Sequence, residues 1–158
     1  MVSLLCKDTA ATEKFGKLLA SLLQSGDVLC LSGDLGAGKT FLTTALAEAL
    51  GVEAKAVTSP TFSLMNIYQG RSLEIRHFDL YRLNSPEELE DIGFSEYAGG
   101  PGLTIIEWGE LFAEELPEEY LKITITIEAA GRSLALEPRG QHYAQLCERI
   151  EKNVNIGN

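Results

Sequence analysis

Apolar positions along this 158-residue chain recur with two periods, and each period predicts a kind of element. Phe15, Leu18, Leu19 and Leu22 keep helical spacing behind Asp8 and Thr9, either of which can cap the helix, and Gly26 closes the turn that follows. Val28-Leu29-Cys30-Leu31 reads as a core strand, the stretch from Phe41 to Leu50 as a helix, and Gly51 as its stop. Lys55-Ala56-Val57 predicts a short strand running into a loop, Thr58 to Phe62, that Pro60 keeps extended. Two β-patterned runs, Leu64 to Tyr68 and Leu73 to Leu80, are joined by a short glycine-bearing link and predict a hairpin. Ser85-Pro86-Glu87-Glu88 has the form of a capping box, opening a helix that ends near Ile92. Leu103 to Ile106 predicts a short strand, and Glu110 to Glu115 a short acidic helix stopped by Leu116-Pro117. Ile123, Ile125 and Ile127 alternate with threonines, and Leu134 and Leu136 alternate after Gly131, which predicts a second antiparallel hairpin. Tyr143, Leu146, Cys147 and Ile150 form the stripe of a terminal helix.

The resulting order of elements predicts an α/β fold with a mixed, mostly parallel central sheet, flanked by helices and carrying antiparallel hairpins. Residues 1 to 152 suffice for a single domain, with 153 to 158 as a frayed tail. Met1 to Cys6 is too short an apolar run for a signal peptide or a membrane span and reads as a strand. Cys6, Cys30 and Cys147 form no C-x-x-C pair, so buried reduced thiols and a cytoplasmic protein are expected. Acidic residues outnumber basic ones by 23 to 13, a net charge of −10, which argues against a broad nucleic-acid footprint.

The chemistry concentrates in one loop. Gly33-Asp34-Leu35-Gly36-Ala37-Gly38-Lys39-Thr40 fits G-x-x-x-x-G-K-[ST] at every fixed position, with a strand before it and a helix opening at Phe41 behind it. Gly33, Gly36 and Gly38 allow successive N–H groups to turn inward around phosphates, and the helix N-terminus adds its partial positive charge. Lys39 is placed to face the β- and γ-phosphates as a mobile cation, and the Thr40 hydroxyl to be a ligand of Mg2+. A nucleoside triphosphate is the expected ligand, contacted by residues 33 to 41. Hydrolysis needs further groups, and three candidates stand out. Glu107, at a strand end, is either an acidic anchor for Mg2+ or a carboxylate capping a neighbouring helix. Asp79 lies in His77-Phe78-Asp79-Leu80-Tyr81, where alternation puts His77, Asp79 and Tyr81 on one face; it serves either a metal or water, or an ion pair with Arg82 or Arg76. Thr61 in the proline-marked loop can reach Mg2+ or the γ-phosphate, or merely stabilise a turn. Trp108, the single tryptophan, is expected to be buried on the strand face opposite Glu107. His77 and His142 show no metal-ligand spacing.

Residues 33 to 40, Ser59-Pro60-Thr61-Phe62, the run from His77 to Leu83 and Glu107-Trp108, in this order, resemble the bacterial TsaE (YjeE) family across residues 8 to 137. That resemblance implies a P-loop NTPase fold with ATP in the loop and Mg2+ held by Thr40 and Glu107, with Asp79 also functional and Thr61 in a switch-like segment. It further implies adenine-side contacts from Thr9 and Arg132, although relatives often carry an acidic residue at position 9. It implies partners as well: the TsaD and TsaB proteins, which transfer a threonylcarbamoyl group to tRNA adenosine while this component supplies ATP-driven turnover, so that tRNA is met only through them. The enzymatic alternative is a small-molecule P-loop kinase, for which no long arginine-bearing lid is evident. A GTPase lacks its guanine-reading motif here, and an ATP-sensing module without turnover is the third reading.

Overall fold

The computed structural model describes residues 2–34, 36–53, 57, 65–81 and 83–156. Seven strands form one sheet: β1 (Val2–Cys6), β2 (Val28–Ser32), β3 (Met65–Gln69), β4 (Glu74–Asp79), β5 (Leu103–Glu107), β6 (Tyr120–Glu128) and β7 (Gly131–Arg139). Their order is β1-β7-β6-β2-β5-β4-β3. The inner strands β6, β2, β5 and β4 run parallel. The pairs β1/β7, β7/β6 and β4/β3 are antiparallel, so the sheet is mixed in equal parts rather than mostly parallel. The reason lies in the outer strands. Both hairpins fold back on themselves, and β1 joins the free edge of β7 antiparallel, with Val2 opposite Leu136 and Cys6 opposite Arg132.

The helices are α1 (Thr9–Leu22), α2 (Lys39–Ala49), α3 (Pro86–Asp91), α4 (Phe94–Tyr97) and α5 (Gln141–Ile156), with a 3-10 segment over Gly109–Glu115. Alternation along the strands divides the core between two faces. Leu29, Leu31, Ile105, Leu121, Ile123, Leu134 and Leu136 point to one face and pack in a single cluster with Phe15, Leu19, Leu42, Leu46, Leu146 and Ile150 from α1, α2 and α5. Val28, Cys30, Phe78 and Ile106 point to the other and meet Leu83, Leu89 and Phe94. Fully burying a large apolar side chain contributes about 1.5–3 kcal/mol, so these clusters hold the layers together. α1 crosses α2 at Gly16, where a Cβ would lie 3.0 Å from that of Ala45; only a small residue allows this approach. Asp8 caps α1, its carboxylate accepting from Ala11 N at 2.9 Å. At the opposite end of the sheet, buried Asp27 accepts from Gln24 N and is paired with His142 Nε2 at 2.7 Å, tying α5 to the entry of β2.

Three expectations are corrected. The Ser85 side chain makes no capping bond; Glu88 instead accepts from Asn84 N at 2.8 Å, and after Gly93 (φ 75°) the chain starts the additional short helix α4, which buries Phe94. The acidic segment after β5 is a 3-10 helix broken at Phe112 (φ −133°, ψ 48°) rather than a regular helix. α5 continues through residues 153 to 156, the start of the expected tail. The strand expected at 55 to 57 falls largely outside the described residues. All three cysteines are free and buried, and no described helix is long and apolar enough to cross a membrane.

Candidate functional site

The loop 33–40 leaves the carboxyl end of the central strand β2 and enters α2. Gly33 has φ 146°, and a Cβ there would lie 2.5 Å from the Ile125 carbonyl oxygen on β6, so glycine is required by both angle and space. Gly36 (φ 80°) and Gly38 (φ 113°) also occupy the left-handed region, with no atom within 4 Å of where a Cβ would stand. There the backbone angle, not crowding, is what calls for glycine. Ala37 N donates to the Asp34 carbonyl at 3.0 Å and Leu42 N to the Gly38 carbonyl at 2.9 Å, which closes the turn and starts the helix. No side chain caps α2 at Gly38. A helix cannot satisfy its first-turn N–H groups internally, so they need partners from outside it.

Lys39 is folded back across this loop. Its ammonium donates to the Gly33 carbonyl at 2.8 Å and sits 4.0 Å from the Trp108 ring centroid, with the residue only 6% exposed. The Thr40 residue is exposed beside it. Sheet register then sets the acids. Leu31, Glu107 and Asp79 are neighbours across β2, β5 and β4, so both carboxylates stand at the same strand edge as the loop. Glu107 is 3% exposed and its Oε2 lies 2.5 Å from His77 Nε2. Asp79 is half-buried, and its Oδ1 accepts from Tyr81 N at 3.1 Å. Burial pushes the Asp79 carboxyl above its ordinary range and the nearby Glu107 charge adds to this, against the opposing effects of the Tyr81 hydrogen bond and of His77 and Lys39. The ion pair considered for Asp79 with Arg76 does not form: Arg76 is bonded to Glu74 Oε2 at 2.8 Å and to the Pro101 carbonyl.

A cavity of about 240 Å³ adjoins the loop on the α1 side, lined among others by Asp8, Thr9, Ala37, Phe41, Gly131 and Arg132. Arg132 Nε donates to the Ala37 carbonyl at 3.1 Å, which fixes that wall to the loop. The structure thus brings Thr9, Phe41 and Arg132 together with Ala37 and Gly38, and Lys39, Glu107 and Asp79 together on the other side. Leu35, Thr61 and Arg82 lie outside the described residues.

Two contributors escaped the sequence reading. Trp108 is the one described non-glycine residue with positive φ (63°), so β5 stops at Glu107. Trp108 is partly rather than fully buried: it packs against the second core cluster, on the side expected of it, but its ring also carries Lys39 and meets Tyr81 at 4.9 Å. His77 is completely buried between Tyr68 and Glu107. Strand parity had put it on the face of Asp79; its contact with Glu107 depends on the β4/β5 register, which no local pattern specifies.

Comparison with known proteins adds the following. The TsaE family profile, described as threonylcarbamoyl adenosine biosynthesis protein TsaE, matches residues 6–134. The chain is 41% identical over 150 residues to the tRNA threonylcarbamoyladenosine biosynthesis protein TsaE of Bacillus subtilis (strain 168), covering 93% of this chain and 92% of that one. It is 44% identical over 130 residues to the protein so named from Treponema pallidum (strain Nichols), covering 82% and 93%. The crystal structure of Bacillus subtilis YdiB superposes with a TM-score of 0.78 at 33% identity, covering 96% of this chain and 95% of that chain.

Proposed function

The chain belongs to the TsaE family, and from that membership we propose that it binds and hydrolyses ATP with Mg2+ in the biosynthesis of tRNA threonylcarbamoyladenosine, driving turnover of the TsaD–TsaB transferase complex. One observation carries the reading: a P-loop sequence on the central strand, with Glu107 and Asp79 in register at the ends of the next two strands.

The left-handed angles at Gly36 and Gly38 suit a loop that wraps a phosphate chain, and the start of α2, which no side chain caps, would supply donors to it. The adenosine end fits the 240 Å³ cavity, against Phe41, Thr9 and Arg132. The donor set also suits Mg2+. The described residues contain no cluster of three or more His, Cys, Asp or Glu able to cage a metal, and Mg2+ is commonly held by one or two carboxylates together with substrate phosphates. Thr40 and Glu107 would hold it, with Asp79 beside them; bound there, Mg2+ neutralises charge on the β- and γ-phosphates. Lys39 exchanges the Gly33 carbonyl and the Trp108 face for phosphate oxygens, which are stronger acceptors because they are charged. Asp79 or Glu107 orients the attacking water, and Thr61 senses the γ-phosphate. TsaD and TsaB complete the site, and tRNA is handled by them.

Isothermal calorimetry tests the binding claim. Lys39→Ala should weaken Mg-ATP binding about 10- to 100-fold, the worth of a charge-assisted hydrogen bond. Wild-type affinity in that variant would remove the P-loop assignment. Phosphate release measured with and without TsaD and TsaB then separates an ATPase from a nucleotide sensor.

A further inference from the structure

Glu107 is almost fully buried, and a polar side chain in that position needs a hydrogen-bond partner. Its partner is His77, 0% exposed, with Nε2 at 2.5 Å. On the other side of the imidazole, Nδ1 lies 3.2 Å from the Tyr68 hydroxyl, and that hydroxyl accepts from Asn66 Nδ2 at 3.4 Å. With a neutral imidazole protonated on Nε2, these contacts share one polarity. Asn66 donates to the tyrosine oxygen, the tyrosine O–H donates to Nδ1, and Nε2–H donates to a carboxylate that can only accept. The four side chains form a continuous hydrogen-bonded chain from the edge strand β3, across β4, to the end of β5. A buried imidazole needs partners on both ring nitrogens whatever its role; what singles out His77 is that one of them is the carboxylate at the strand edge from which the phosphate loop leaves. The last torsion of a glutamate is broad and roughly two-fold, so an unrestrained carboxylate samples many orientations. With Oε2 taken by His77, one oxygen remains for a cation or its water, and its direction is set.

We infer that His77, held by Tyr68, is a positioning residue for Glu107: it orients that carboxylate toward the metal and water side of the nucleotide site without touching the nucleotide. This rests on the proposed ATPase reading, and it assigns a role to the histidine beyond the phosphate loop and the acidic pair.

The test compares His77→Leu, which removes both contacts, with His77→Gln, whose amide nitrogen can stand where Nε2 stands. Two readouts are taken on the full-length protein: Mn2+ affinity in the presence of ADP, by electron paramagnetic resonance, and kcat and KM for ATP with TsaD and TsaB. The leucine variant should lose about 10- to 100-fold in Mn2+ affinity and in kcat, the usual effect of removing a hydrogen-bond partner from a metal ligand. Its metal-free ADP affinity and its KM for ATP should stay within about threefold of wild type, and the glutamine variant should regain most of the loss. A folded leucine variant with wild-type Mn2+ affinity and kcat overturns the inference, as does a folded glutamine variant as impaired as leucine. Should the leucine variant lack a cooperative melt, Tyr68→Phe replaces it: a loss in the same direction supports the role, and wild-type values overturn it. A wild-type protein without ATPase activity would sink the hydrolysis reading instead, and the Mn2+ comparison would still decide the part played by His77.

Discussion

Asp79 illustrates how a site can be built at the expense of the fold around it. A carboxyl group whose pKa is raised in the folded protein binds its proton more tightly there than in the unfolded chain. Between the ordinary value of 3.8 and the raised one the native state therefore holds more protons, and stability falls as pH rises through that window. Above the window the penalty is fully present. Asp79→Asn should accordingly melt at a higher temperature than wild type at pH 7 in metal-free buffer, with the gap closing below about pH 4; a gap that is unchanged or wider in acid would reject the account. Cys30 shows the inert counterpart. Burial pushes its thiol up to about 12, so at pH 8 about one molecule in 10⁴ carries the thiolate that alkylating agents need. Iodoacetamide at pH 8 should leave Cys30 unlabelled in the native protein and modify it fully in urea, as read by peptide mass spectrometry. Rapid native labelling would show that this strand opens far more readily than its burial implies.

At the scale of elements, the pairing of β1 with β7 governs the wall of the cavity. Gly131 starts β7 at φ 139°, and a Cβ there would collide with the Cys6 carbonyl. Gly131→Ala should therefore cost about 1–3 kcal/mol in urea unfolding and weaken nucleotide binding as well, because Arg132 follows it into the cavity. Unchanged stability would mean that β1 yields without cost. What was legible in the chain follows the range of the interactions. The stripe of α1, the continuous apolar run of β2, the alternation of β6 and the glycines around Lys39 are local patterns, and each element appears close to where its pattern put it. The parity of β4 likewise placed His77 and Asp79 on one face and Phe78 on the other. The short links made the two hairpin pairings legible, whereas long-range partners were not, because β1 finds β7 from the far end of the chain. The turn at Trp108 was hidden for another reason: a tryptophan in the left-handed region carries no signal in its own residue type. α4 followed a glycine that equally well marks the end of a helix.

For the molecule as a whole, charge decides what it can meet unaided. A net charge of −10 repels a polyanion, and specific or nonspecific tRNA binding depends on neutralising phosphates with Lys and Arg. The isolated protein should show no salt-sensitive tRNA binding in gel-shift experiments at low ionic strength, while its ATP hydrolysis rises on addition of TsaD and TsaB. Tight binding by the chain alone would place RNA recognition here. The order of the strands also has a consequence in time. Val2 to Cys6 are translated long before their partners, Arg132 to Leu136. At about 5–20 residues per second, a ribosome takes roughly 6–25 s to pass from one to the other. For most of that interval, once Thr40 has been added, the phosphate loop is already synthesised, but the wall that Gly131 and Arg132 contribute does not exist. On the proposed ATPase reading, ATP then finds no complete site on the nascent chain, and a ribosome stalled before β7 would hold a polypeptide with its P-loop motif made and its adenosine pocket unbuilt.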